Sequence, residues 1–441
     1  MIRKILFFLA LGLTSQSLYA SEAIQKAADE DYQAYLKDLF IHFHQNPELS
    51  MAENRTAARI AKELKAVGFE VHTGVGKTGV VALLRNGKGP KVMMRADMDG
   101  LPVKEDSGLS YMSTATQVDP FTGKESPVMH ACGHDVHITS LVGTGRYMAA
   151  NKDQWSGTLM LIAQPAEERI MGARIMMEDN LWQRFGQPDY ALAFHVSASG
   201  QSGQLNVLPG AISAGSNSVD IIIHGVGAHG ASPHAGKDPI VLGSQIVLAL
   251  QTLVARELPP KSPGVVTVGA FNSGFKHNII SDKAHLQLTV RSTSEETKDL
   301  LLNGIKRIAE NMGRVAGLPE DKLPEVIISK EEATFPTIND DKLTARLRRV
   351  WEKAYGKQNI TNRVSPGMGA EDFPYFTTKP KIPSVYWSVG GTPKATMTLA
   401  KNGGPAVPSH HSPFFKIDPD TSVPQGVSST VFALMELMPK Q

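Results

Sequence analysis

Residues 129–137 hold three histidines, an aspartate and the chain's only cysteine. A buried core asks for apolar side chains here, and a solvated loop has no use for a lone thiol. Packing therefore does not account for the composition. Thiolate, imidazole and carboxylate are together what a transition-metal site takes. The rest of the chain is expected to fold so that further ligands reach this stretch. Cys132 and His134 stand two apart, and in an extended loop both side chains would point to one side. A catalytic thiol, with His134 as its base, is the competing reading. Nucleophile and base usually come from different elements, which weighs against it.

The first twenty residues stand apart from the rest. Arg3 and Lys4 precede an apolar run at 5–13, followed by Leu18-Tyr19-Ala20. That run is too short to span a bilayer and reads as a secretory signal cut after Ala20, leaving no membrane anchor. The mature chain is then exported, to the periplasm or the medium. Losing Arg3 and Lys4, with no acidic residue, takes the formal charge from +2 to 0. Such a balance favours neither nucleic acid nor an anionic membrane. One cysteine in an exported protein cannot form an internal disulfide, so Cys132 is a free thiol or a ligand.

At 441 residues two domains are expected. Helical spacing at 23–68, broken at Asn46-Pro47-Glu48, gives way to strand-like runs at 79–84 and 91–94. The second run leads into Asp97-Met98-Asp99. A helix is predicted at 138–150, and strands at 157–163 and 190–194. These strands end near Glu167-Glu168 and at His195. Alternating helices and strands predict an α/β domain, with a mixed, mostly parallel sheet and flanking helices. Ligand sites in such sheets lie at the carboxyl ends of strands. Between 219 and 329 the order becomes β-α-β-β-α-β, the ferredoxin-like arrangement. The expected organisation is a signal at 1–20, a discontinuous catalytic domain at 21–212 and 332–441, and an inserted α+β domain at 213–331.

Taken singly, the remaining candidates are weak. A Glu-Glu pair usually marks a solvated face, but Glu167 and Glu168 follow a buried-looking strand and a proline. At a strand end adjacent side chains diverge, so one carboxylate can bind metal while the other serves as general base. His195 alone reads as a core histidine, and His410-His411 as a surface pair. Asp97 and Asp99 fit a plain turn. The Gly227–His234 turn, with His229, fits a helix cap, while Asn278 and Arg291 are ordinary surface candidates.

Together the motifs say more. Arg95-Ala96-Asp97-Met98-Asp99-Gly100-Leu101-Pro102, His130-Ala131-Cys132-Gly133-His134-Asp135 and Gln164-Pro165-Ala166-Glu167-Glu168 come in series with Phe194-His195-Val196. The His229 turn, Gly369-Ala370-Glu371-Asp372-Phe373 and His411-Ser412-Pro413 follow in order. The series resembles the metal-dependent amidohydrolases: N-acyl-amino-acid deacylases, hippurate hydrolases and auxin-conjugate hydrolases. The resemblance implies a phosphorylase/hydrolase-like catalytic domain with two divalent metal ions per subunit. Mn²⁺ or Zn²⁺ is expected, with Co²⁺ or Ni²⁺ as alternatives. It assigns Cys132, His134, Glu168, His195 and His411 as ligands, leaving His410 out. Glu167 becomes the general base and Asp97 the residue that orients a ligand. The inserted domain would form a homodimer and carry His229 to the partner's oxyanion, with Asn278 and Arg291 on substrate polar groups. Ser281, where the family usually has proline, and Asn217 depart from the pattern and bear on specificity. The expected activity is hydrolysis of N-acyl-amino acids; the alternative is a dipeptidase or carboxypeptidase. A non-catalytic binding ectodomain would have lost ligands, and none is missing.

Overall fold

The computed structural model describes residues 21–364 and 367–440, so the signal-like run 1–20 lies outside the described residues. The chain forms two compact units: 21–210 with 338–364 and 375–440, and 211–337 with 367–374.

The first unit opens with a helical stretch at 21–45 (α1), carrying a π-turn at Tyr32–Leu36, and a second helix at Asn54–Ala66 (α2). Strands follow at Glu70–Val75 (β1), Gly79–Asn86 (β2) and Lys91–Asp97 (β3). Helix α3 spans His134–Ala150, β4 Gly157–Gln164, β5 Tyr190–Gln201 and β6 Leu205–Asn206. In the second unit come β7 (Gly215–His224), α4 (Pro239–Thr252), β8 (Gly264–Ser273), β9 (Lys283–Ser292), α5 (Glu295–Val315) and β10 (Glu325–Thr334). The chain then returns to the first unit with α6 (Asp341–Tyr355), β11 (Ile360–Thr361), β12 (Ser384–Thr392) and α7 (Pro419–Leu437).

Among the described residues the first unit's large sheet has eight strands in the order β1-β2-β4-β3-β5-β12-β6-β11. Its centre, β4-β3-β5-β12, is parallel, and antiparallel β1 and β2 close one edge. This is an α/β fold with a large mixed sheet and flanking helices. Strands β2, β3 and β4 are buried along nearly their whole length, as expected of apolar runs covered on both faces. Helices α3 and α7 join the core beside them, with Leu141, Val142, Val427 and Val431 inaccessible or nearly so.

Two of the elements that depart from their predicted bounds carry proposed metal ligands. Helix α3 begins at His134, four residues before the predicted 138, so Cys132 and His134 flank a loop-to-helix junction and not an extended segment. The junction depends on Gly133, whose φ is +85° and where a Cβ would come within 2.4 Å of Val196 Cγ1. Strand β5 runs on to Gln201 because β12 pairs with it beyond His195, matching Ser388 to His195 and Val389 to Val196. His195 is therefore mid-strand, not at a strand end.

The second unit has a four-stranded antiparallel sheet in the order β8-β9-β7-β10, the ferredoxin-like pairing. Val219, Ile221, Leu286, Leu288 and Val290 alternate inward and pack with Leu250 of α4 and Leu301 and Ile305 of α5. On β9 the opposite positions His285, Gln287, Thr289 and Arg291 are polar, which fixes its register.

Candidate metal centre

Cys132, His134, Glu168, His195 and His411 meet at the carboxyl side of the large sheet. Cys132 Sγ lies 3.4 Å from His195 Nε2. His134 Nε2 is 3.9 Å from Glu168 Oε1, and His411 Nε2 is 3.4 Å from Glu168 Oε2. Ligand atoms of Cys132, His134 and His195, and likewise of Cys132, Glu168 and His411, fall within 4.8 Å of one another. Glu167 joins from the same turn, its Oε2 4.0 Å from His134 Nε2.

The imidazoles are oriented from behind. His134 donates from Nδ1 to the Asp99 carbonyl at 2.8 Å, and His195 donates from Nδ1 to the Val196 carbonyl at 2.6 Å. Each Nε2 is left with a bare lone pair directed at the cluster, the tautomer a metal ligand needs. His410 differs. The Ala198 amide donates to its Nε2 at 3.1 Å, which leaves Nδ1–H facing Cys132 Sγ at 3.6 Å. Both of its nitrogens are thus engaged by the protein.

The Glu167–Arg169 turn is held in a conformation its sequence would not choose alone. Ala166 and Ile170 bracket it with φ of +49° and +54°. Asp99 binds it: Oδ1 accepts from the Glu167 amide and Oδ2 from the Glu168 amide, both at 3.1 Å. Glu53 Oε1 accepts the Ala166 amide at 2.8 Å. Asp97 is wedged between Arg95, whose guanidinium donates to Oδ2 at 2.6 Å, and His137, which donates to Oδ1. His137 in turn accepts the Val196 amide at 2.8 Å, linking β3 to the strand that bears His195. Asp99, Glu53 and His137 had no predicted role, because only their hydrogen bonds in the folded chain reveal one.

The donor set fits a cation. His134 Nε2 and Glu168 Oε1 are buried without a hydrogen-bond partner, an expensive arrangement for polar atoms that face no cation. Burial opposes charge on His134, yet Asp97, Asp99 and Glu168 push it up to about 10. That pull on a proton is the pull a metal ion would satisfy. Burial raises Glu168 to about 7, and burial with Glu168 and Glu167 nearby drives the Cys132 thiol well above its ordinary range. An activated nucleophilic cysteine needs the opposite shift. Burial, with His137 and His410 beside it, keeps His195 neutral, as coordination requires.

The second unit places its candidates differently. His229 is exposed on a short strand, Ala228–His229, that pairs with Ile279–Ile280, and the Gly230 amide donates to the Asn278 carbonyl at 2.8 Å. Asn278 and the His229 turn are thus neighbours. Arg291 lies elsewhere, half-buried on β9 opposite Val265 and Ser216.

A cluster of soft and hard donors, with Cys132 and His134 buried and His411 exposed, beside paired glutamates on the carboxyl side of a mixed α/β sheet defines a metal-dependent hydrolase. The chain belongs to peptidase family M20/M25/M40, whose family model matches residues 93–415, and it is an amidohydrolase acting on amide bonds. It is 36% identical to a hippurate hydrolase of Campylobacter jejuni over 78% of this chain and 86% of that protein. It is 34% identical to thermostable carboxypeptidase 2 of Saccharolobus solfataricus over 84% and 88%. A dinuclear metal-binding M20 peptidase of Bacillus subtilis superposes with a TM-score of 0.73 at 25% identity, covering 92% of this chain and 98% of that one.

Proposed function

We propose that this protein is an exported amidohydrolase that cleaves the amide bond of N-acyl-amino acids, with Glu167 as its general base. The observation that carries the reading is the buried, unpartnered pair His134 Nε2 and Glu168 Oε1 inside a thiol–imidazole–carboxylate cluster. Two divalent cations, Mn²⁺ or Zn²⁺, would be held by Cys132, His134, Glu168, His195 and His411. When bound they supply the positive charge that polarises the amide carbonyl and acidifies a water. Glu167 takes the proton of the attacking water as its oxygen bonds to the carbonyl carbon. It then returns that proton to the amine nitrogen as the C–N bond breaks, giving a carboxylic acid and an amino acid. Asp97 orients His137 and, at 3.8 Å, faces His134 Nε2. The export reading rests on residues 1–20.

The second unit is proposed to form a homodimer. Its helical run Pro239–Glu257 is strongly apolar yet only a third buried, and Val241 and Leu248 are 54% and 72% exposed. Strand β8 is an open edge of its sheet. His229 of the partner subunit would stabilise the oxyanion. Its Nδ1 accepts the Ala231 amide at 3.0 Å, leaving Nε2–H free to donate. Asn278 and Arg291 would bind substrate polar groups.

Removal of metal with a chelator tests the reading. Hydrolysis of N-benzoyl- and N-acetyl-amino acids should vanish and return on adding Mn²⁺ or Zn²⁺, while a thiol alkylator leaves the metal-loaded enzyme active. Faster turnover of dipeptides than of any N-acyl-amino acid would favour the peptidase alternative, to which the carboxypeptidase likeness points.

A further inference from the structure

A cleft of about 280 Å³ opens beside Glu168 in the first unit. Its apolar wall is Leu49, Leu101, Pro102 and Phe121. Pockets that engulf whole drug-sized ligands run to about 300–1,000 Å³, so this one, at the lower edge of that range, admits a compact apolar group.

Phe121 belongs to the turn between two short paired strands, Thr116–Val118 and Glu125–Pro127. Nothing in the hairpin's own core holds it, for the side chain is 46% exposed. Two contacts fix it instead. The Arg169 guanidinium sits 4.5 Å above the ring centroid, and Asp119 Oδ1 accepts the Phe121 amide at 2.8 Å. Arg169 also bonds Asp119 Oδ2 at 3.2 Å, so its charge is already matched. Arg169 directly follows Glu168, and the cleft wall is thereby tied to the turn that bears Glu167 and Glu168.

We infer that this cleft receives the acyl half of the substrate, an apolar group up to the size of a phenyl ring, with Phe121 as its specificity-determining wall. The inference rests on the N-acyl-amino-acid reading. An N-acyl-amino acid has one carboxylate-bearing half and one uncharged half. Asp119 and Arg169 cancel each other's charge across the cleft, and Glu168 is turned to the proposed cations. What remains is an apolar wall with no unmatched cation for a carboxylate, which suits the uncharged end. An aromatic acyl group would add an edge or face contact to Phe121.

The test crosses two acyl groups with two amino acids: N-acetylglycine, N-benzoylglycine, N-acetylphenylalanine and N-benzoylphenylalanine, assayed with the metal-loaded full-length enzyme. Phe121→Ala should lower the benzoyl-to-acetyl ratio of kcat/KM about tenfold, through KM, with the phenylalanine-to-glycine ratio moving less than twofold. Leu101→Phe, which fills the cleft, should lower the same ratio by a similar factor. Thermal melts check that both variants fold. A shift in the phenylalanine-to-glycine ratio instead, or no shift in either, overturns the cleft assignment while leaving the amidohydrolase reading intact. A wild-type enzyme inactive on all four compounds overturns that reading and the assignment with it.

Discussion

The metal corner of the first unit and the sheet of the second obey different rules. Along β9 and at the helix starts of the second unit the residues follow local preference. Apolar and polar residues alternate along β9, Ser294 caps α5 by accepting the Thr297 amide, and Asp238 caps α4. In the metal corner the preferences are broken repeatedly. Asp97, Asp99, His134, Asp135 and His137 are buried, and Ala166, Ile170 and His411 occupy left-handed backbone. Such violations persist only where the surroundings over-determine them, and they gather at functional sites. The contrast teaches that strain and buried charge, not pattern, mark where this chain does its chemistry.

The sharpest way to break that contrast is at Glu167. Glu167→Gln keeps the shape of the side chain and removes its basicity. Turnover should fall about 10²–10⁴-fold, with metal content per subunit, measured by elemental analysis, unchanged. Retention of full activity would sink the assignment of the base.

Next comes the buried charge that supports the corner. His44 is clamped between Asp135, at 2.7 Å, and Glu105, at 3.1 Å. Burial disfavours the charged ring, but the two carboxylates overcome it and raise its pKa to about 9. Asp135 and Glu105 are held below their ordinary values; burial opposes this, and the bonds to His44 win. Breaking one member of a buried pair costs about 3–5 kcal/mol, which is the destabilisation expected of His44→Phe by denaturant titration. The sign with pH follows. The contribution of His44 is complete below its unfolded value of about 6.5 and is lost as pH rises through about 9. That of the carboxylates is lost as pH falls below their ordinary values. Wild-type and His44→Phe stabilities should therefore converge toward pH 10.

A smaller effect tests whether the backbone restraints matter. Asp99→Asn puts an amide NH₂ against one of the N–H groups of Glu167 and Glu168. Metal affinity should drop about 10–100-fold, the usual cost of disturbing a residue that orients ligands, as read by competition with a chromogenic chelator. Unchanged affinity would mean the turn holds its shape without Asp99.

These outcomes also bear on what the sequence could disclose. The residue types around Cys132 and His134 suggested a metal site, whereas Glu168 and His195 were weak alone and joined them only through the family resemblance. The alternation of helices with strands such as 157–163 pointed to the sheet. The start of α3 was hidden. His134, Asp135 and His137 lack the apolar period of a helix because they are buried by hydrogen bonds rather than by packing. Asp99 looked like a turn residue and Glu53 drew no reading, since a carboxylate that accepts backbone amides leaves no mark on spacing. His195 seemed to end a strand because the continuation, Val196–Gln201, is polar at alternate positions and is stabilised by the distant β12. Tertiary partners decided each of these, and a single sequence does not name its partners.

The second unit supplies the weakest perturbation and the cleanest control. Along β9 core and surface differ by the alternation alone. Leu288→Ala, beneath α4 and α5, should cost about 2–5 kcal/mol, whereas Leu248→Lys, 72% exposed on α4, should change the folding of its unit by no more than about 0.5 kcal/mol. Its effect should fall on assembly instead. A lysine there puts unpaired charges into an apolar face that the proposed homodimer would bury, and mass measured by light scattering should drop from two chains to one. If His229 of the partner subunit completes the site, turnover falls with the mass although no residue of the metal corner has changed. A monomeric Leu248→Lys enzyme with wild-type kcat would show that the metal corner works without its partner.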